Sequence, residues 1–334
     1  MARTSTVTVR RSVSLRSIAY MATSDAPEPT SPLHVLMKEL WQKAPNVVDR
    51  HLPELPEDRV LEEGTQCRFC DQLTEVPGGA GVMFRINAYE QGRQPTGLRD
   101  NFDTPDADSL PTELRDDEGQ EMHLVHQASV LIWNRVALIE YSKGAGGAGG
   151  LAHYLTRMMR RHSVTPQKMP NIRFNEVVPP DIMTQINEGG GVKQAELKAE
   201  PTRGGGPIDG KFSGPLTTAM SRSRNPKWAK LIIAPDDGEV HSETVSEMLD
   251  EYEDGMLEMI GFELRRGGKI WGDQFKFRRP IELPAGRDRR PDRHELERKM
   301  CNLLMTLRQP AGPQGSGNDY LVTSDGHVRS AISN

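Results

Sequence analysis

The sequence predicts an α+β protein in which mixed and antiparallel sheets carry packed helices. Three observations point there. Two apolar, β-rich runs, Ala128–Trp133 and Val136–Tyr141, are joined by only Asn134-Arg135, the spacing of a tight antiparallel hairpin. Val192–Ala199 alternates apolar and polar residues at the period of a half-buried strand. Val245, Met248, Leu249, Tyr252 and Met256 recur at i, i+3, i+4, i+7 and i+11, which lays an apolar stripe along a helix. With 334 residues the chain has room for two domains, or for one with long tails, and can bury a real core.

In order along the chain, residues 1–32 are polar and rich in Pro, Ser and Thr and are expected to form a disordered arm. Arg3, Arg10, Arg11 and Arg16, with no acid among the first 20 residues, give this arm the look of a transit peptide, but it lacks the continuous apolar stretch of a secretory signal; Met21 is an alternative start. Val35, Leu36, Leu40 and Trp41 predict a short amphipathic helix ending before Pro45. Cys67–Leu73 and Val82–Tyr89 read as strands around the turn Pro77-Gly78-Gly79, and Gln91–Glu121 as an acidic, apolar-poor loop. After the hairpin, a glycine run forms a flexible connection to the helix Leu151–Arg161.

A second region begins between Pro170 and Pro180. Asp181–Glu188 is a short helix with Asp181 able to cap it or occupy its first turn, and Gly189-Gly190-Gly191 ends it. The strand Val192–Ala199 follows, then the loose segment TRGGGPIDGKFSG, the strand Lys230–Ala234 and a helix from Ser242 to Glu258. Gly261–Leu264 and Trp271–Phe277 form a second hairpin around Arg265-Arg266-Gly267-Gly268-Lys269. Asp292 and Glu295 make a start like a capping box for a last helix with Leu296, Met300, Leu303, Leu304 and Leu307 on its core face; a Gly/Ser-rich tail follows.

Composition narrows the class. Only 5% of residues are aromatic, against 24 Pro and 31 Gly, so much of the chain must be loop. The net charge of −5 hides a segregation: Glu239–Glu258 holds eight acids and no Lys or Arg, whereas Arg265–Lys299 holds twelve Lys/Arg against six acids. The sequence has no apolar run long enough to span a membrane. Three cysteines argue for a reducing compartment.

Four motifs bear on chemistry. Gly144, Gly146 and Gly149 spell G-x-G-x-x-G, but the preceding strand belongs to a hairpin, no acid follows at ribose distance, and no Gly-Lys-Ser/Thr closes the run, so neither a dinucleotide site nor a P-loop is expected. Cys67 and Cys70 form C-x-x-C without a second pair; His51, His123 or His126 could complete a metal site only by folding, and none is expected. His153, on the helix after the glycines, has no partner that would make it a base, and no cofactor is implied. Asp181, Glu196 and Lys198 match the P-D…(D/E)-x-K arrangement in which two carboxylates hold Mg²⁺ and a lysine positions water, which keeps a metal-dependent nuclease as an alternative.

The fourth motif is cationic. Arg265, Arg266 and Lys269 occupy a glycine-containing hairpin tip, and Lys276, Arg278 and Arg279 lie on or after its second strand. Arg222, Arg224, Lys227 and Lys230 surround Trp228. Clustered cations gain affinity for phosphate by counterion release, and with no recognition helix the natural form is sequence-independent backbone binding. The alternative is solvated charge paired with the acidic helix.

The order of pieces resembles the RexA family of phage-exclusion proteins. The resemblance is carried by VLIWNRVALIEYSKGAGGAGGLAHYL, IRFNEVV, the Asp181 helix, VKQAELKAE, KLIIAP, GFELRRGGKIWGDQF and HELERKMCNLLMTL, and covers Leu33–Arg308 by order and character of elements. It implies a two-lobed cytoplasmic homodimer that binds double-stranded DNA without sequence preference and activates a RexB-like membrane channel in abortive infection. By the same resemblance residues 33–165 plus 281–308 form a globular lobe and 166–280 a smaller, swivelling lobe, while composition makes 309–334 a flexible tail; Arg265 matches a DNA contact, and Arg266 and Lys269 share its tip. The N-terminal arm, the acidic insertion and the longer glycine run depart from the family. A protein that recognises a phage protein without touching nucleic acid is the third possibility.

Overall fold

The computed structural model describes residues 7–56, 61–76, 81–92, 96–98, 109–111, 125–142, 144–200, 210–224, 226–236, 238–285, 291–308 and 321–329. In chain order the elements are β1 (Val7–Met21), α1 (Leu33–Lys43), β2 (Gln66–Glu75), β3 (Gly81–Glu90), β4 (Thr96–Leu98), β5 (Ser109–Pro111), β6 (His126–Trp133), β7 (Val136–Glu140), α2 (Gly147–Arg161), β8 (Asn171–Glu176), α3 (Ile182–Glu188), β9 (Val192–Ala199), α4 (Ser213–Ser221), β10 (Ala229–Ile233), α5 (Ser242–Glu253), β11 (Met259–Leu264), β12 (Lys269–Trp271), a tight 3-10 turn over Gly272–Phe275, β13 (Arg278–Ala285) and α6 (Arg293–Arg308). A seven-stranded sheet has the order β13-β1-β7-β6-β3-β2 with β8 also on β1, a four-stranded sheet the order β10-β9-β11-β12, and β4 pairs with β5. Helices and antiparallel ladders together make the expected α+β class. The chain divides into two compact units, Met1–Met21 with Ile132–Leu138 and Arg173–Asn334, and Ala22–Leu131 with Ile139–Ile172.

The expected N-terminal arm is instead a strand. β1 pairs antiparallel with β13 from Val7↔Ala285 to Ser14↔Arg278, and Val13 and Leu15 are fully buried. The physical reason is a period-two pattern: Val9, Val13 and Leu15 share one side of the strand, interrupted by Arg11, and Val13 and Leu15 anchor it in the core even though the composition is polar. β13 was hidden by Pro280 and Pro284, which a strand at the end of a sheet tolerates because missing donors there break no central ladder. The expected flexible tail is also corrected in part: Leu321 and Val322 are buried, and the Val322 amide donates to the Leu307 carbonyl at 3.0 Å. Residues 309–320 and most of the acidic insertion at 91–121 lie outside the described residues.

In the second unit α1 and α2 bury apolar faces, and their junction with β2 is organised by polar groups. Tyr154 donates its hydroxyl to the Arg50 carbonyl at 2.5 Å and accepts from the Cys70 amide at 3.0 Å, while buried Arg50 donates to the Cys70 and Pro45 carbonyls and lies over Trp41. A buried guanidinium needs this degree of satisfaction.

The four-stranded sheet belongs to the first unit. Ala195, Leu197 and Ala199 of β9, Ile260 and Phe262 of β11 and Ile270 of β12 form one core with apolar side chains of α3, α4 and α5. Three helices therefore cover one face of this sheet, and the alternate residues of every strand point the other way. The loose segment expected before residue 214 ends in α4, whose start is capped from a distance: the Glu251 carboxylate accepts from the Phe212 and Ser213 amides at 2.9 and 2.8 Å. α5 stops at Glu253, short of the expected Glu258, because Gly255 takes a positive φ of 70° and the Met256 amide turns back to the Glu251 carbonyl at 2.8 Å.

Candidate nucleic-acid interface

The tip between β11 and β12 is built on Gly267 and Gly268, whose φ values of 90° and 93° suit glycine alone. The Leu264 amide donates to the Gly268 carbonyl at 3.1 Å and closes the turn. The tip is then tied to the glycines that end α3: the Arg265 amide donates to the Gly191 carbonyl and the Arg266 amide to that of Gly189. These bonds fix the backbone from which three candidate cations project.

The three cations differ in what they do. The Arg266 guanidinium donates to the Glu188 carbonyl at 3.0 Å, so it satisfies the last turn of α3 as well as facing solvent. Arg265 is 51% exposed and sits 3.8 Å from Glu239; Lys269 is 68% exposed and sits 3.5 Å from Glu263. Exposed pairs at such distances contribute at most about 1 kcal/mol, so an incoming phosphate can displace either carboxylate.

Lys276 and Arg278 are not brought to this tip. Lys276 bridges Glu176 and Asp273 at 3.7 and 3.1 Å, Arg278 pairs with Asp273 at 3.1 Å, and Arg16 of β1 reaches Glu176 at 2.5 Å. Burial pushes the Asp273 carboxyl up, but Lys276 and Arg278 outweigh it and hold it below the ordinary aspartate value. These two cations serve an internal network of β1, β8 and β13 rather than an open phosphate surface.

The second cluster is more open. Arg222 caps the end of α4, and Arg222, Arg224 and Lys227 are exposed with no ion pair or hydrogen-bonding side-chain partner among the described residues. Lys230, by contrast, pairs with Glu196 at 2.6 Å. The register places the two clusters at opposite ends of β9, since Leu264 faces Val192 and Ala229 faces Ala199. Eight residues of strand separate them by about 24 Å.

Between the clusters lie Trp271 and Ile232, which the cationic motifs did not include, and with them Trp228, which they did. Trp271, 40% exposed, covers Gly261, and Trp228, 54% exposed, has the Lys198 ammonium 5.9 Å from its ring centre. Ile232, 52% exposed, completes the row Ile232, Glu196, Gly261, Trp271 across the sheet. The signal was the alternation itself: with Ile260, Phe262 and Ile270 turned inward, Gly261 and Trp271 must share the outer face.

The nuclease set is not assembled. Asp181 starts α3, whose Ile182 and Ile186 pack on the buried face of β9, whereas Glu196 and Lys198 alternate onto the outer face. Asp181 accepts from the Gln185 amide at 2.9 Å, and Glu196 and Lys198 pair with Lys230 and Glu200. Among the described residues no group of three or more His, Cys, Asp or Glu could hold a metal ion. Cys67 and Cys70 are buried free thiols, and His51 turns its ring to the Pro53 carbonyl and the Tyr89 hydroxyl instead; His123 lies outside the described residues.

Gly144 and Gly146 of the glycine run lie close to neighbouring side chains. A Cβ at Gly144 would sit 1.9 Å from the His126 ring, and one at Gly146 2.8 Å from the Arg68 guanidinium. α2 begins within the run, at Gly147, so these glycines admit neighbouring side chains against the start of a helix. No family model matches the chain, and no curated protein matches it.

Proposed function

We propose that this protein is a sequence-independent DNA-binding sensor of a phage superinfection-exclusion, or abortive-infection, system. The observation that carries the DNA-binding part is the pair Arg265 and Lys269: two exposed cations on a hydrogen-bonded glycine turn, each held among the described residues by a long, displaceable ion pair. Arg222, Arg224 and Lys227 supply a second contact. Non-specific grip on phosphates is the form of binding such groups support, since contacts to phosphate carry no sequence information.

The biological setting rests on the resemblance of Leu33–Arg308 to the RexA family. From that resemblance come the homodimer, the cytoplasmic location and a RexB-like channel as membrane partner. Among the described residues no helix is long and apolar enough to cross a membrane, and this reading gives the channel to a separate protein.

A gel-shift experiment with a short duplex, with and without Mg²⁺, tests the assignment. Retardation of intact duplex in both conditions supports it. Absence of retardation overturns it in favour of a phage-protein-binding module, and Mg²⁺-dependent cutting abolished by Lys198→Ala overturns it in favour of a nuclease.

A further inference from the structure

We propose that the outer face of the four-stranded sheet binds single-stranded nucleic acid, with bases stacked on Trp271 and Trp228. This deepens the preceding assignment and rests on it, because the cations of the same sheet are taken to hold the phosphates.

The two indoles are where packing does not need them. The sheet's core lies entirely on the other face, against α3, α4 and α5. Trp271 rests one part of its ring on Gly261, where any side chain would displace it, and leaves the remainder to solvent. Trp228 stands over the opposite corner beside Lys198. Strand spacing and rise put the two rings about 20 Å apart, so they meet separate bases of one strand. An exposed indole offers a π-face that any unpaired base can cover, whereas in a duplex the base faces are already stacked.

Charge selects nucleic acid over an acidic or neutral protein surface. Three carboxylates of the face are already held by lysines: Glu196 by Lys230, Glu200 by Lys198, and Glu263 by both Lys193 and Lys269. Cations remain at the two ends of β9, with Arg222, Arg224 and Lys227 exposed next to Trp228 in sequence and Arg265, loosely paired with Glu239, at the other end. A polyanion crossing from one end to the other passes over both indoles.

Binding of a fluorescein-labelled oligothymidylate and of a duplex of equal length, followed by anisotropy, tests this. Wild type is expected to bind both, with quenching of its own tryptophan fluorescence by the single strand. Trp271→Ala and Trp228→Ala should each weaken the single strand about tenfold and leave the duplex unchanged, and Trp271→Phe should restore most of the loss. If the duplex binds but the single strand is held equally by wild type and both alanine variants, the stacking proposal is overturned while DNA binding stands. If neither probe binds, both fall. Should Trp271→Ala fail to fold, Trp228→Ala and the quenching by oligothymidylate decide the matter alone, and their failure overturns the proposal.

Discussion

The ring of Trp271 lies so close over Gly261 that a Cβ on residue 261 would sit 1.9 Å from its Cε3 atom. The glycine is thus a seat for an exposed indole in the middle of a sheet. Gly261→Ala should push Trp271 off the face at a cost of about 1–3 kcal/mol, the usual scale of overpacking. Urea unfolding and the tryptophan emission maximum check this; an unchanged midpoint with unchanged emission would show that the indole does not rest there.

The strand β1 makes a second prediction. Leu15 is fully buried in it, so Leu15→Ala should destabilise the protein by about 2–5 kcal/mol, as large-to-small core substitutions do. An unstructured arm would tolerate the change without effect, and a denaturation midpoint equal to that of wild type would restore that view.

Buried His51 gives a pH dependence. Burial, with Arg161 adding to it against the opposing hydrogen bond to Pro53, holds its imidazole below the ordinary 6.5. The unfolded chain therefore takes up the proton first. The stability this neutral ring contributes is complete above pH 6.5 and declines as pH falls through that value towards the lower folded one. Thermal midpoints between pH 7.5 and 5 should fall less steeply for His51→Gln than for wild type; parallel curves would remove His51 from the account.

Glu239 competes with phosphate for Arg265 at 3.8 Å. Glu239→Gln frees the guanidinium and should tighten duplex binding by roughly twofold to fivefold, while stability moves by no more than about 0.5 kcal/mol. Weaker binding by this variant would mean that the carboxylate orients Arg265 rather than shields it.

What the sequence made legible follows from how local each cause is. Val192–Ala199 emerges with the expected bounds because its alternation is complete within the strand. The start of α6 was visible for the same reason, as the Asp292 carboxylate accepts from the Glu295 amide at 3.1 Å. α4 was not visible, because the carboxylate that caps it belongs to Glu251, nearly forty residues onward. β1 was legible in Val7, Val9, Val13 and Leu15, but its polar composition outweighed its period. Among the site residues, exposure of Arg265 and Lys269 could be expected of any hairpin tip, and the pairing of Lys276 and Arg278 with Asp273 is local, whereas the commitment of Lys276 to Glu176 depends on strands brought together only by folding. The aromatic seat on Gly261 required the β11–β12 register.

The most direct test of the central claim is the salt dependence of duplex binding by wild type and by the double variant Arg265→Ala/Lys269→Ala. If both cations neutralise phosphates, the double variant binds more weakly and the slope of log K against log salt becomes shallower by about 1.8. Equal affinity and an equal slope would contradict the assignment of DNA contact to this hairpin.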